Sequence, residues 1–217
     1  MKQQQIVIIG GGGHTRVLIG MVQAAGLPLR GIVTANAALL GSVVLEVPVL
    51  GLEGEVDLDP TEVMLVNGVG NHATGKGPGL APRTALYQRY RAMGFDFPPI
   101  ISPQAVVHAH VAMGEGVQVM AGAVIQPGVI IGENSIINTC AAIDHDVVLS
   151  PHCHIAPAAV LCGYAVVGEG THIGAGAVII DKVRIGNRAV IGAGATVTKH
   201  VPDAAVIRPA PAVTEML

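Results

Sequence analysis

From Ile101 onward every sixth residue of the chain is apolar: Ile101, Val107, Met113, Val119, Ile125, Ile131, Ile137, Ile143, Leu149, Ile155, Leu161, Val167, Ile173, Ile179, Ile185, Ile191 and Val197. Four places beyond these positions the residue is repeatedly small or β-branched, as at Ala105, Val111, Ala123, Ser135, Ala141, Cys153, Ala159, Thr171, Ala177 and Ala195. A period of six is neither the 3.6 of an amphipathic helix nor the strict alternation of a hairpin. It predicts short strands joined by corners in a parallel β-helix, whose stacked coils share one core. Each aliphatic side chain buried in such a core contributes about 1.5–3 kcal/mol, so the ladder is ample to stabilise a solenoid. Gly114, Gly132, Gly168, Gly174, Gly186 and Gly192 recur in the repeat and read as tight corners that tolerate little side chain.

Ahead of the repeat the pattern changes. Ile6 to Ile9 reads as a short buried strand, Gly10 to Thr15 as a glycine-rich turn, and Arg16 to Ala25 as a helix with Val17, Leu18 and Met21 on one face. A second strand covers Leu29 to Val33, and a third, Val63 to Val66, ends in a second glycine-rich tip, Asn67 to Asn71. Gly75 to Pro82 reads as a loop, and Arg83 to Met93 as a helix with Leu86, Tyr90 and Met93 on one side, stopping at Gly94. Pro98-Pro99 marks a boundary between a small α/β, Rossmann-like domain (1–99) and the β-helix (100–217).

A strand, a glycine-rich turn and a helix make a phosphate cradle. Glycines let main-chain N–H groups approach an anion, and the helix amino terminus adds favourable partial charge. The candidates are Gly12, Gly13 and His14, with Gly70 on the neighbouring tip of the same sheet edge, where ligands gather. A dinucleotide site fits less well. Gly10 and Gly12 match the first two glycines of that fingerprint, but Thr15 occupies the third place, and the tip Thr34-Ala35-Asn36 has no carboxylate for a ribose. A tight turn with no ligand stays open.

Composition narrows the partners. With 12% charged residues and a formal net charge of −3 the chain lacks the basic face that nucleic-acid binding needs, so a small-molecule substrate fits better. Only 2% of residues are aromatic and 29 are glycine, which suits a thin, aliphatic core. Three cysteines (Cys140, Cys153, Cys162) without a secretory segment argue against a disulfide framework, and no run is long enough for a membrane span. A cytoplasmic location without membrane insertion is expected.

The repeat segments Ile131-Gly-Glu-Asn-Ser-Ile, Ile173-Gly-Ala-Gly-Ala-Val and Ile191-Gly-Ala-Gly-Ala-Thr resemble those of the hexapeptide-repeat acyltransferases. That resemblance implies a left-handed helix with three hexads per coil, nearly six coils in all, and a homotrimer. The opening Ile6-Val-Ile-Ile-Gly-Gly-Gly-Gly-His14 followed by the β-helix is similar to the sugar-nucleotide N-acetyltransferases of bacterial glycan synthesis and to the related sialic acid O-acetyltransferases. It implies acetyl-CoA as co-substrate, a nucleotide-linked amino sugar as acceptor, and Gly12, Gly13 and His14 as contacts to the nucleotide diphosphate. Thr34 and Ala35 stand where relatives carry acidic residues near the base and ribose.

Ile143-Asp144-His145-Asp146 is the one place in the repeat where a histidine sits between two carboxylates. Acyl transfer from thioester to amine needs a base as the tetrahedral intermediate forms, and histidine titrates in the useful range. A carboxylate neighbour can orient the ring and stabilise its protonated form. His145 on a solvated coil surface is the bland alternative. The resemblance implies that His145 is the base and Asp146 raises its basicity, that Asp144 and Asn138 lie beside it towards the sugar, and that His154 contacts acetyl-CoA. Gly163, Ala175 and Ala193 would line the cofactor groove, or be small only because corners require it.

A zinc hydratase on the same scaffold is a weaker match, since positions about two coils before His145 or His154 hold Ala109 and Gln118. His154 and His172 should stack on neighbouring coils, but two ligands do not complete a tetrahedral site, so no metal is expected. Beside N-acetyl transfer, O-acetyl transfer and a non-catalytic sugar-nucleotide-binding scaffold remain.

Overall fold

The computed structural model describes residues 4–71, 77 and 79–209. The amino-terminal part is a five-stranded sheet in the order β3-β4-β2-β1-β5, made of β1 (Gln5–Ile9), β2 (Leu29–Thr34), β3 (Val43–Val44), β4 (Val47–Leu52) and β5 (Val63–Asn67). Only β3 runs antiparallel, joined to β4 through Leu45 and Glu46, both with positive φ. That hairpin has no glycine or asparagine at its turn and gave no signal in the sequence. Helix α1 (Gly13–Ala24) begins three residues before the position predicted, so Gly13 and His14 lie in its first turn. Its buried face is Leu18, Ile19, Met21 and Val22, whereas Val17 is exposed, because the face is set by the solenoid that the helix packs against.

Helix α2 (Ala81–Ala92) likewise starts inside the predicted loop. It buries Arg83, Leu86, Tyr87 and Tyr90 and leaves Met93 exposed. The remainder of the loop predicted over 75–82 lies partly outside the described residues.

The rest is a left-handed β-helix of two-residue strands from Ile100–Ile101 to Val206–Ile207. Three sheets form its faces. Face one carries Gln118, Ile136, His154, His172 and Val190, face two Val106, Val124, Ala142, Val160 and Val178, and face three Ala112, Ile130, Val148, Val166 and Arg184, as the first residues of successive strands. Partners lie one coil apart, as in Val124 with Ala142 or His154 with His172. The second residue of each strand points inward, and from Val119 to Val197 these form one buried core with Ala123, Ala141, Cys153, Ala159 and Ala177 at the corners. At the carboxyl end the spacing shortens, with Ile185 bridging Val201 and Val190 pairing with Val206.

The recurring glycines are needed for a different reason from the one expected. A Cβ on Gly114, Gly168 or Gly174 would sit 2.5–2.6 Å from the main-chain nitrogen of Glu133, Asn187 or Ala193 on the next coil. Close stacking of coil on coil, not a left-handed φ, excludes the side chain. The positive φ values fall two places later, at Gly116, Gly170, Gly176 and Gly194 but also at Asn134 and Arg188, and equivalent places on other coils are held by Cys140, Asp146, His152, Ala158 and Tyr164.

The two parts share apolar packing. Ile6, Ile8, Leu18, Ile19 and Val22 cluster with Ile100, Met120 and Ile136 of face one.

Candidate active site

Two glycine-rich tips meet at the carboxyl ends of β1 and β5. A Cβ on Gly68 would lie 2.6 Å from Thr15 Oγ1 and 2.9 Å from Ile9 O, so the main chains touch there. Thr15, which departs from the dinucleotide fingerprint, is fully buried and donates from its hydroxyl to Gly68 O at 3.2 Å, fastening the start of α1 to the second tip. Gly12 is the N-cap of α1 and supplies no side-chain cap, and nothing lies within 4 Å of the place where a Cβ on Gly12 or Gly13 would be. The uncapped N–H groups therefore open onto a cleft of about 450 Å³.

The cleft is lined by Gly10 to His14, Val17, Gly68 to Asn71, and, from the solenoid, Asn138 and His154. Gly12, Gly13, His14 and Gly70 thus come together as expected. Thr34 and Ala35 do not line it: Thr34 is buried and its hydroxyl accepts from the main-chain N–H of Asn36 at 3.1 Å. Asn138 belongs to this cleft and not beside His145.

A buried polar network, invisible in the sequence, supports the floor. His14 Nε2 lies 2.7 Å from Gln118 Oε1, and Gln118 Nε2 donates to Asn67 O at 2.9 Å. The Arg83 guanidinium, fully buried, donates to Asn67 O and Val69 O at 2.9 Å each and to Asn134 O at 3.2 Å. These residues pin the second glycine tip to the first face of the solenoid. Arg83, Asn67 and Gln118 carry no signal in the sequence because they stand on three separate elements and meet only in the fold.

The cleft histidines are held neutral. Burial lowers His14 to about 4, helped by Arg83, lowers His154 to about 3, with a further push from His172, and lowers His172 to about 4. Asn138 Oδ1 accepts from Thr139 N at 2.8 Å, so Asn138 Nδ2 faces His154 Nε2 at 3.1 Å. The proton of His154 is thereby placed on Nδ1, which is buried without a hydrogen-bond partner among the described residues.

His154 and His172 stack edge to face with centroids 5.0 Å apart, as the spacing predicted, and Asn71 Nδ2 meets His172 Nδ1 at 2.6 Å. Beyond them a second hollow of about 420 Å³ is lined by His172, Gly174, Ala175, Gly192, Ala193 and Arg208, among others. Ala175 and Ala193 therefore lie with His172, whose ring stacks on that of His154. No group of three or more His, Cys, Asp or Glu side chains fit to hold a metal ion occurs among the described residues.

His145 lies elsewhere, at the corner between faces two and three, opposite face one. Its Nδ1 is 2.9 Å from Asp146 Oδ2, and its main-chain N–H donates to Asp144 Oδ1 at 2.8 Å. A carboxylate only accepts, so Nδ1 carries the proton and Nε2 offers the lone pair. The hydrogen bond to Asp146 raises the ring's pKa, with a smaller contribution from the charge of Asp144. A Cβ on Gly163 would sit 2.8 Å from Nε2, and Tyr164 meets the ring edge to face at 5.2 Å. Gly163 is thus the floor under His145 and is separate from Ala175 and Ala193.

The bacterial transferase hexapeptide family (six repeats) matches residues 110–145 and 164–199. Among solved structures, a histidine-to-alanine mutant of GDP-perosamine N-acetyltransferase from Caulobacter crescentus, in complex with CoA and GDP-perosamine, is 36% identical, with 94% of this chain and 93% of that chain covered and a TM-score of 0.83. The acetyltransferase domain of PglB from Neisseria gonorrhoeae, in complex with acetyl coenzyme A, is 32% identical, with 94% and 96% covered and a TM-score of 0.84. WeeI from Acinetobacter baumannii shares the fold at 23% identity, with 94% and 96% covered and a TM-score of 0.80. No curated protein sequence matches the chain.

Proposed function

The chain belongs to the hexapeptide-repeat sugar-nucleotide N-acetyltransferases, and on that premise we propose that it moves the acetyl group of acetyl-CoA to the amino group of a nucleotide-linked 4-amino-4,6-dideoxy sugar, with His145 as general base. The observation that carries the reading is the His145–Asp146 pair at 2.9 Å. Burial lowers the pKa of each of the three cleft histidines, whereas that of His145 is raised, so His145 is the strongest base among these four. The amine nitrogen attacks the thioester carbonyl, Nε2 of His145 takes the amine proton, and the tetrahedral intermediate collapses to an amide and the CoA thiolate, which is reprotonated. Asp146 keeps the ring oriented and favours its charged form.

The other parts fall into place around that step. The uncapped start of α1 suits the diphosphate, and His154 lines the same cleft from the solenoid side. Ala175 and Ala193 leave room for the pantetheine arm. The Caulobacter structure holds CoA and GDP-perosamine, and the Neisseria structure holds acetyl coenzyme A.

A homotrimer completes this picture. His145 and the glycine-lined cleft sit on opposite sides of one solenoid, so one chain alone does not bring its base to its own cleft. The outward residues Val106, Val124, Ala142, Val160 and Val178 make face two an apolar strip that a neighbouring chain would cover.

The test is thiol release from acetyl-CoA against UDP-, GDP- and dTDP-linked 4-amino-4,6-dideoxy sugars. Turnover with at least one amino sugar nucleotide, and none with its 4-hydroxy counterpart, is expected. Turnover with hydroxy acceptors alone would replace amide by ester formation.

A further inference from the structure

Asp146 does not hold the His145 ring by itself. The side chains of His145 and Asp146 are both about half exposed, and a hydrogen bond between groups so open to water is weak, because solvent competes for both partners. An imidazole held by that bond alone would leave it for other rotamers, and its Nε2 would lose its aim.

The next coil supplies what the carboxylate lacks. Ala142 pairs with Val160 and Ile143 with Leu161, so Gly163 and Tyr164 stand one coil beyond His145 and Asp146, and Tyr164 N donates to His145 O at 3.1 Å. A Cβ on Gly163 would lie 2.8 Å from both Cε1 and Nε2 of His145, so the ring rests on bare main chain. Tyr164 meets it with ring centroids 5.2 Å apart and planes at 86°, a geometry that aromatic pairs favour. Neither the corner nor the core calls for a tyrosine there. Tyr164 has a φ of 60°, where a bulky residue is uncommon, and the same place is filled by Gly128 two coils before and by Lys182 one coil after. Its side chain is half exposed and lies outside the inward ladder. The contact with His145 is what remains to account for it.

We propose that Tyr164 is a positioning residue, whose ring confines the His145 imidazole to the rotamer that keeps Nδ1 on Asp146 and leaves Nε2 free to take the amine proton. This rests on the reading of His145 as the general base. The contact is made by the aromatic ring, so phenylalanine should serve as well as tyrosine.

Two measurements on the full-length protein test it, with Tyr164→Phe and Tyr164→Asn. Asparagine removes the ring and tolerates the left-handed backbone, as Asn134 does with a φ of 54°. In thiol-release assays Tyr164→Asn should lower kcat about 3–10-fold, the worth of one aromatic contact, with KM for both substrates and the unfolding midpoint nearly unchanged. Tyr164→Phe should stay within about twofold of wild type, since it keeps the ring. Nitrogen-15 spectra, recorded where the rings are neutral, supply a readout that a purely structural role would not move. Wild type and Tyr164→Phe should show the His145 proton on Nδ1, held there by Asp146, whereas Tyr164→Asn should show it shared with Nε2, as in a freely rotating imidazole. An unchanged tautomer in Tyr164→Asn would overturn the proposal. So would an equal loss of kcat in Tyr164→Phe, which would put the hydroxyl on the substrate. Absence of thiol release by wild type with any amino sugar nucleotide would overturn the functional reading instead, and the tautomer comparison needs no turnover to be read.

Discussion

At the scale of single residues the chemistry turns on which nitrogen of each histidine is bare. His145→Ala should lower kcat/KM by about 10²–10⁴-fold, the usual worth of general-base catalysis, while acetyl-CoA affinity measured by calorimetry changes little. Asp146→Ala should cost less, because it tunes the base without removing it. It should also move the ascending limb of the pH–rate profile. Asp146 raises the pKa of His145, so wild type needs a higher pH to hold the ring neutral, and removing the carboxylate shifts the limb downward. An unmoved limb in Asp146→Ala would separate the pair. His145 and Asp146 were legible because both ionisable groups lie side by side in the chain. Gln118, Asn67 and Arg83 were not, since they meet only through long-range contacts between the sheet, α2 and the solenoid.

At the scale of the element, the repeat declared its strands and inward positions in advance, because a period of six leaves no other regular structure to satisfy it. What it did not declare was why the glycines recur. Since the obstacle at Gly168 is the main-chain nitrogen of Asn187 at 2.6 Å, Gly168→Ala should destabilise by about 1–3 kcal/mol, as overpacking does, read as a lowered unfolding midpoint. Gly163 makes the contrasting case. Its obstacle is the His145 ring, a side chain that can move, so Gly163→Ala should leave the midpoint nearly unchanged. It should instead reduce kcat by about 10²-fold by displacing the base by an ångström or so. Both helices began earlier than predicted, and Val17 and Met93 faced outward, because the solenoid and the sheet select the buried face rather than the helix's own periodicity.

At the scale of the whole molecule, His145 and the glycine-lined cleft lie on opposite sides of one prism, so under the proposed mechanism assembly becomes a catalytic matter. Val178→Glu places a charge on the apolar strip of face two without touching the inward ladder. Light scattering should then show a monomer, with the unfolding transition retained and thiol release lost. A monomeric variant that keeps its activity would show that the two halves serve each other within one chain. The hexad count already displays this division, because His154 follows His145 by nine residues, half a coil, and so projects from a different face of its own chain.

The pairing of each residue with the one a full coil ahead, Val124 with Ala142 and Ala142 with Val160, also makes the chain a counting device. Removing one complete coil from the upper solenoid would drop every later residue one level and leave it on its own face. Removing a single hexad would rotate everything downstream by a third of a turn, carrying Ala175, Ala193 and Arg208 out of line with His154. Length variation in this scaffold is therefore quantised, and the shortened pairing of Val190 with Val206 shows that the count is relaxed only in the last coil.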